Sequence, residues 1–193
     1  YFADPDRDPD YPNYGSFPAT RREFLWRMVL NLCGWYAILQ FFGIRQNRVS
    51  GNNSNTPRST LHLVVTQLIL LMTFSVTVGW FYYFWLWLVP LVTFAKFFSS
   101  TRAFCEHASP DDRPTIRTIT GSFPGEKVFG VFSFHYHTEH HEYVGVPYNQ
   151  LREAHRLAKD TLYARNEMPG VIYEHFDRGY FQLLNRWYKA LPL

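Results

Sequence analysis

The sequence predicts an all-α membrane protein: a transmembrane helical hairpin, interfacial and amphipathic helices around it, and a histidine-rich metal-binding cap. Three observations carry that prediction. From Leu61 to Ala95 no Asp, Glu, Lys or Arg occurs. Aromatic side chains make up 19% of the 193 residues, with 18 Phe, 13 Tyr and 6 Trp, far above an ordinary soluble protein. Four histidines, His135, His137, His140 and His141, fall within one short segment. Mean hydropathy is still slightly negative, at -0.23, because the apolar residues are concentrated in two blocks while both ends are polar and charged.

Residues 1–23 read as a surface loop, since the Asp-Pro repeats near the start bias the backbone toward extended and turn conformations. The chain opens on Tyr1 with no signal-peptide pattern, as expected of a sequence that begins in mid-protein. Residues 24–44 form an aromatic, apolar stretch interrupted by Arg27 and Asn31. Arg21, Arg22 and Arg27 lie at its start and Arg45, Arg48 and Arg58 follow it, so the positive-inside bias marks both flanks as cytoplasmic. An interfacial or re-entrant helix satisfies that bias, and a spanning helix with one snorkelling Arg is the alternative. Glycosylation at Asn52-Asn-Ser54 in a eukaryotic host would place that loop in the lumen.

As one helix, the charge-free block would extend roughly 52 Å, whereas one crossing needs about 30 Å. The economical reading is a hairpin over 61–96, with helices near 61–77 and 80–96 turning at Gly79. If both helices cross, the loop before Leu61 and the segment after Lys96 share one side of the membrane. Residues 97–193 then form a cytoplasmic cap. It comprises a Pro- and Arg-containing linker at 108–120, the histidine segment 131–143, and an amphipathic tail with helical spacing over Asn149–Tyr163 and Tyr173–Leu191.

A net charge of +3 is too mild to suggest nucleic acid as a partner, and no basic run with interleaved aromatics occurs. Cys33 and Cys105 form neither a CxxC pair nor a disulfide framework and read as structural.

On a helix, positions 137, 140 and 141 fall within about a 100° arc, so three imidazoles can converge on one metal ion or on two adjacent ones. Glu139 then points to the opposite face. Imidazole suits Fe, Zn, Cu and Ni alike, so ligand type alone leaves the metal open. A solvated, histidine-rich turn without metal is the plainer alternative.

Tyr136-His137-Thr-Glu-His140-His141, followed by Val146-Pro147-Tyr148 and Leu151, closely resembles the third histidine box of membrane fatty acid desaturases. That box runs Tyr-His-x-x-His-His, then x-Pro and a Leu. Arg102-Ala-Phe-Cys-Glu106-His107 looks like the family's isolated extra ligand. The Asp-Pro-Asp element at 4–6 or 8–10 and the pair Arg117-Thr118 match further family elements in the same order. Glu142 departs from the pattern, standing where an apolar residue is common after the final His.

The resemblance implies that His107, His137, His140 and His141 are direct ligands of two irons, with no catalytic residue separate from them. His135, Glu106 and Glu139 are candidates for groups behind the ligands; His135 reads equally as structural, and the two glutamates, which could hold an imidazole through its other ring nitrogen, read better as ordinary solvated carboxylates. His155 is expected on the tail as a non-ligand, and His62 and His175 as structural. The resemblance spans nearly the whole chain but only the carboxy-terminal part of a single desaturase-like domain. Boxes of the His-x-x-x-His and His-x-x-His-His kinds are absent and expected upstream of Tyr1, so the 193 residues alone are expected to be inactive.

The implied reaction is O₂-dependent desaturation of a fatty acyl chain. The implied partners are the membrane, a lipid or acyl substrate, and a ferredoxin or cytochrome-type electron donor docking on cytoplasmic arginines. A lipid or carotenoid hydroxylase or ketolase of the same superfamily is the near alternative. A non-catalytic membrane metal-binding protein is the alternative of another class.

Overall fold

The structure, a computed structural model, describes residues 4, 8, 11–41, 57–121, 133, 135–165 and 170–193. The amino-terminal segment is not a plain surface loop. A one-turn helix α1 (Tyr11–Tyr14) buries Tyr14, and Asp8 and Pro18 are buried as well. Aromatic residues every third position supply the reason: Tyr11, Tyr14 and Phe17 pack into the main hydrophobic cluster, where Phe17 stacks on Phe104.

Helix α2 (Arg21–Leu32) starts at an N-cap threonine. Thr20 Oγ1 accepts from the Glu23 amide, and Glu23 reaches back to the Ala19 amide. It ends at Gly34, whose φ of +73° disfavours other residues and where an added Cβ would meet the Val92 carbonyl at 3.0 Å. Helix α3 (Trp35–Phe41) follows. The expected single helix over 24–44 is therefore two short ones, with 42–44 outside the described residues. A helix of 12 residues reaches only about 18 Å, short of the roughly 30 Å of a crossing.

Two of the arginines in this region are committed to packing. Arg21 donates to the carbonyls of Tyr188, Lys189 and Leu191. Arg27 pairs with Glu23 and donates to the Ser16 carbonyl. The loop carrying Arg45, Arg48 and Asn52 lies outside the described residues.

Helix α4 (Pro57–Thr77) and helix α5 (Trp80–His107) meet at Gly79, as the sequence predicts, and α5 runs past the expected end at 96. Gly79 takes φ +110° and ψ 141°, a conformation open almost only to glycine. Gln67 on α4 accepts from Tyr83 and Trp87 on α5, and Phe74 packs edge-on against Tyr83, so the two helices lie side by side. Within α5, Pro90 removes a donor and crowds the preceding turn, and the helix widens to π-type turns on either side of it.

The 28-residue α5 is long and apolar enough to cross a membrane. Its first half, with α4, leaves Met72, Val76, Trp80, Leu86 and Phe94 exposed, whereas Ser100 to His107 include seven buried residues. The hydroxyls of Thr66, Thr73, Ser75, Thr77 and Thr93 each donate to the carbonyl four residues back. No aliphatic hydroxyl between Leu61 and Ala95 therefore needs water, which is the condition for facing hydrocarbon.

The cap is not wholly helical. Within the linker, Thr115-Ile-Arg-Thr-Ile119 forms strand β1, which pairs in parallel with β2 (Ile172–Phe176) in the register Thr115↔Ile172 to Ile119↔Phe176. β-branched residues at four of the five β1 positions favour the pleated chain, and all five are buried. Between the strands lie α6 (His137–Glu142) and α7 (Leu151–Arg165). The expected tail helix over 173–191 is β2 followed by α8 (Tyr180–Ala190), separated by Gly179. Tyr180, Leu183 and Trp187 share the buried face of α8, and Trp187 packs edge-on against Phe104 of α5.

Candidate metal centre

Two helices build the candidate centre. His107 sits in the last turn of α5, and α6 presents His137 and His141 one turn apart. Their rings meet: His107 Nε2 lies 2.8 Å from His137 Nε2, and His141 Nε2 lies 3.0 Å from the same atom. One ligand nitrogen from each of the three can be enclosed within 4.8 Å. His140 is adjacent but outside that group, its ring centroid 6.1 Å from that of His137 and 5.8 Å from that of His141. The predicted arc thus brings two of its three imidazoles to one point, and the third is His107, thirty residues earlier in the chain.

The donor set fits a metal ion. Burial, followed by the neighbouring His107 and His141, holds the His137 imidazole well below its ordinary pKa. Burial and then His140 lower that of His141. Neutral imidazoles keep a lone pair for coordination, and such a set suits iron among other transition metals.

The groups behind the rings are more ordered than the sequence suggested. Glu106, expected as a solvated carboxylate, is only 1% exposed, and its Oε2 lies 3.6 Å from His137 Nδ1. Its other oxygen accepts from the Tyr180 hydroxyl at 2.8 Å, and Arg102 lies 3.3 Å from Oε2. His107 Nδ1 lies 3.4 Å from the Thr115 carbonyl, and the Tyr14 ring packs 4.8 Å from the His107 ring while its hydroxyl donates to the buried Asp8.

Glu139 points to the face opposite the imidazoles, as the helical period requires, so it holds no ligand ring. It is also not solvated. Fully buried, it accepts from Thr118 of β1 at 2.5 Å, and from Tyr163 at 2.8 Å and His155 Nδ1 at 2.7 Å on α7. Burial alone would raise its pKa, but the hydrogen bonds from His155, Thr118 and Tyr163 outweigh it and leave it lowered.

His135 is buried with its ring against Tyr136, while its backbone carbonyl accepts the Ile119 amide. His175 stacks on Tyr163 and lies 2.7 Å from Thr120 Oγ1. Glu142 accepts from Tyr173 of β2 at 3.0 Å. Arg117, noted only as half of an Arg-Thr pair, is 2% exposed. It donates to the Cys105 and Ala108 carbonyls and to Glu174, and sits over the Trp187 ring.

Sequence reasoning missed Tyr14, Tyr163 and Tyr180. Tyrosines are abundant in this chain, and nothing local marks which of them reach the site.

A comparison with curated proteins and one with solved structures each returned no significant match. The family model for fatty acid desaturases matches residues 1–169, which include α5, the histidine helix and every residue of the imidazole cluster. That match covers most of the chain, and it coincides with a histidine cluster of the kind such oxidoreductases use for di-iron centres, so the chain belongs to the fatty acid desaturase family.

Proposed function

We propose that this chain is the carboxy-terminal part of an enzyme that desaturates a fatty acyl chain with O₂ at a histidine-ligated di-iron centre. The observation that carries the reading is the convergence of His107, His137 and His141 at the end of a helix whose other half is apolar and exposed. His107, His137, His140 and His141 would be this chain's iron ligands, with His140 adjacent to the cluster formed by the other three. The remaining ligands belong to the two histidine boxes absent from these 193 residues.

Bound iron would supply the O₂ chemistry that removes hydrogen from an unactivated methylene pair. The residues present do the rest. The buried imidazoles stay neutral and available, Glu106 faces the outer nitrogen of His137, and the Glu139 hydrogen bonds fix the helix that carries three ligands. Helices α4 and α5 form the membrane hairpin, α2 and α3 lie in its interface, and the histidines stand on the cytoplasmic side. There, arginines such as the exposed Arg22 dock an acidic ferredoxin or cytochrome-type donor.

The complete gene, expressed in cells fed labelled fatty acids, should yield products with new double bonds located by mass spectrometry. A hydroxylated or oxo product alone would reject desaturation in favour of oxygen transfer. The purified complete protein should carry two irons per chain, and His137→Ala should lose them. Fewer than two irons in the wild type, with no O₂ consumption, would indicate a non-catalytic metal-binding membrane protein.

A further inference from the structure

The family match ends at residue 169, yet one side chain beyond it reaches the candidate metal centre. Tyr180 opens α8 and is 1% exposed. Its hydroxyl donates at 2.8 Å to Oε1 of Glu106, a carboxylate 74 positions earlier and equally buried. Glu106 directly precedes His107, and its second oxygen faces Nδ1 of His137 at 3.6 Å.

A buried carboxylate is costly unless its lone pairs are partnered. Tyr180 partners one oxygen and leaves the other directed at Arg102 and the His137 ring. His137 is the middle member of the cluster, because its Nε2 is the atom that both His107 and His141 approach. Among the described residues its buried Nδ1 has no hydrogen-bond partner, and the Glu106 carboxylate stands 3.6 Å from it, just beyond hydrogen-bond distance and within reach of a small turn of the ring. A metal-bound imidazole is oriented by what its other nitrogen donates to, and losing that partner typically weakens metal binding about 10- to 100-fold.

We propose that Tyr180 is a positioning residue for the metal centre: by holding Glu106, it sets the orientation of the His137 imidazole. The proposal rests on the reading of His137 as a ligand. It assigns to the carboxy-terminal segment, outside the matched family region, a part in building the site. Packing alone does not explain the arrangement, since Tyr188 on the same helix fills space against Phe24 and Arg21 without reaching a ligand.

The test uses the complete protein, upstream boxes included, loaded with Fe(II), or with Co(II) as a spectroscopic probe. Tyr180→Phe removes one hydroxyl with no change in ring volume. It should lower metal retention against a chelator by about tenfold or more and alter the Co(II) visible spectrum, and Glu106→Gln should do the same. The double variant should be no worse than the poorer single one, because both break one link. Tyr188→Phe should leave retention and spectrum unchanged.

Wild-type retention and spectrum in Tyr180→Phe, or effects of the two variants that multiply independently, would overturn the proposal while His137→Ala still loses metal. If His137→Ala itself kept both ions, the metal-site reading would be what failed. Should Tyr180→Phe not fold, Glu106→Gln, which keeps the tyrosine hydroxyl partnered, decides alone, and unchanged metal retention there refutes the link.

Discussion

Replacing Glu139 by alanine removes the common acceptor of three hydrogen bonds that tie the histidine helix to β1 and α7. A hydrogen bond to a charged group contributes about 1.5–3 kcal/mol, and the donors left behind, Thr118, Tyr163 and His155, lose their acceptor in a dry interior. The three losses are not additive, because one loosened helix releases all of them. The relevant scale is that of breaking a buried charged network, about 3–5 kcal/mol. We expect roughly 4 kcal/mol, which at 1.36 kcal/mol per decade is nearly a thousandfold rise in local opening.

Amide hydrogen exchange over residues 137–142 reads this directly, since the Thr138 amide is itself bonded to Thr118 Oγ1 at 3.0 Å. Glu139→Gln, which keeps an acceptor oxygen and the side-chain shape, should fall between wild type and alanine. Exchange in Glu139→Ala within about threefold of wild type would refute the reasoning, because the carboxylate would then be a passenger in the packing.

Arg117→Met should destabilise the cap by about 3–5 kcal/mol, seen as a large drop in thermal midpoint, because two buried carbonyls and Glu174 lose their donor. Arg117→Lys should recover less than half of that, having no planar fork to serve all three, and a methionine variant as stable as wild type would count against the account. His175 gives a pH prediction. Burial and then the adjacent His155 lower its pKa below the ordinary imidazole value of about 6.5, so below that pH the unfolded chain takes up a proton that the folded chain still refuses. Stability therefore falls as pH drops through about 6.5, and His175→Gln should remove that part of the slope in thermal melts between about pH 7.5 and 5.5. A constant offset between the two proteins across that range would show that the imidazole titrates normally.

The sequence alone determined the helices of the charge-free block and the turn at Gly79, because those depend on local composition and one backbone conformation. It also determined which side of the histidine helix Glu139 occupies, since helical period is a local property. Only the tertiary structure decided what that side meets. Glu139 and Glu106 look solvated when charge is read one residue at a time. They are buried because strand β1 and helices α7 and α8 close over them from positions distant along the chain. The parallel pairing of β1 with β2, across 57 residues between Arg117 and Glu174, has no local signal either, as each strand is five residues long and its partner lies beyond two intervening helices. His107 and His137 were each legible as metal-binding types. Their meeting was not, for it depends on how far α5 continues past the apolar block and on the aromatic contacts of Phe104 with Phe17, Phe24 and Trp187 that seat its last turns. Periodicity specifies which way a side chain points along its own element, whereas the partner waiting there is chosen by packing between elements that the chain order keeps apart.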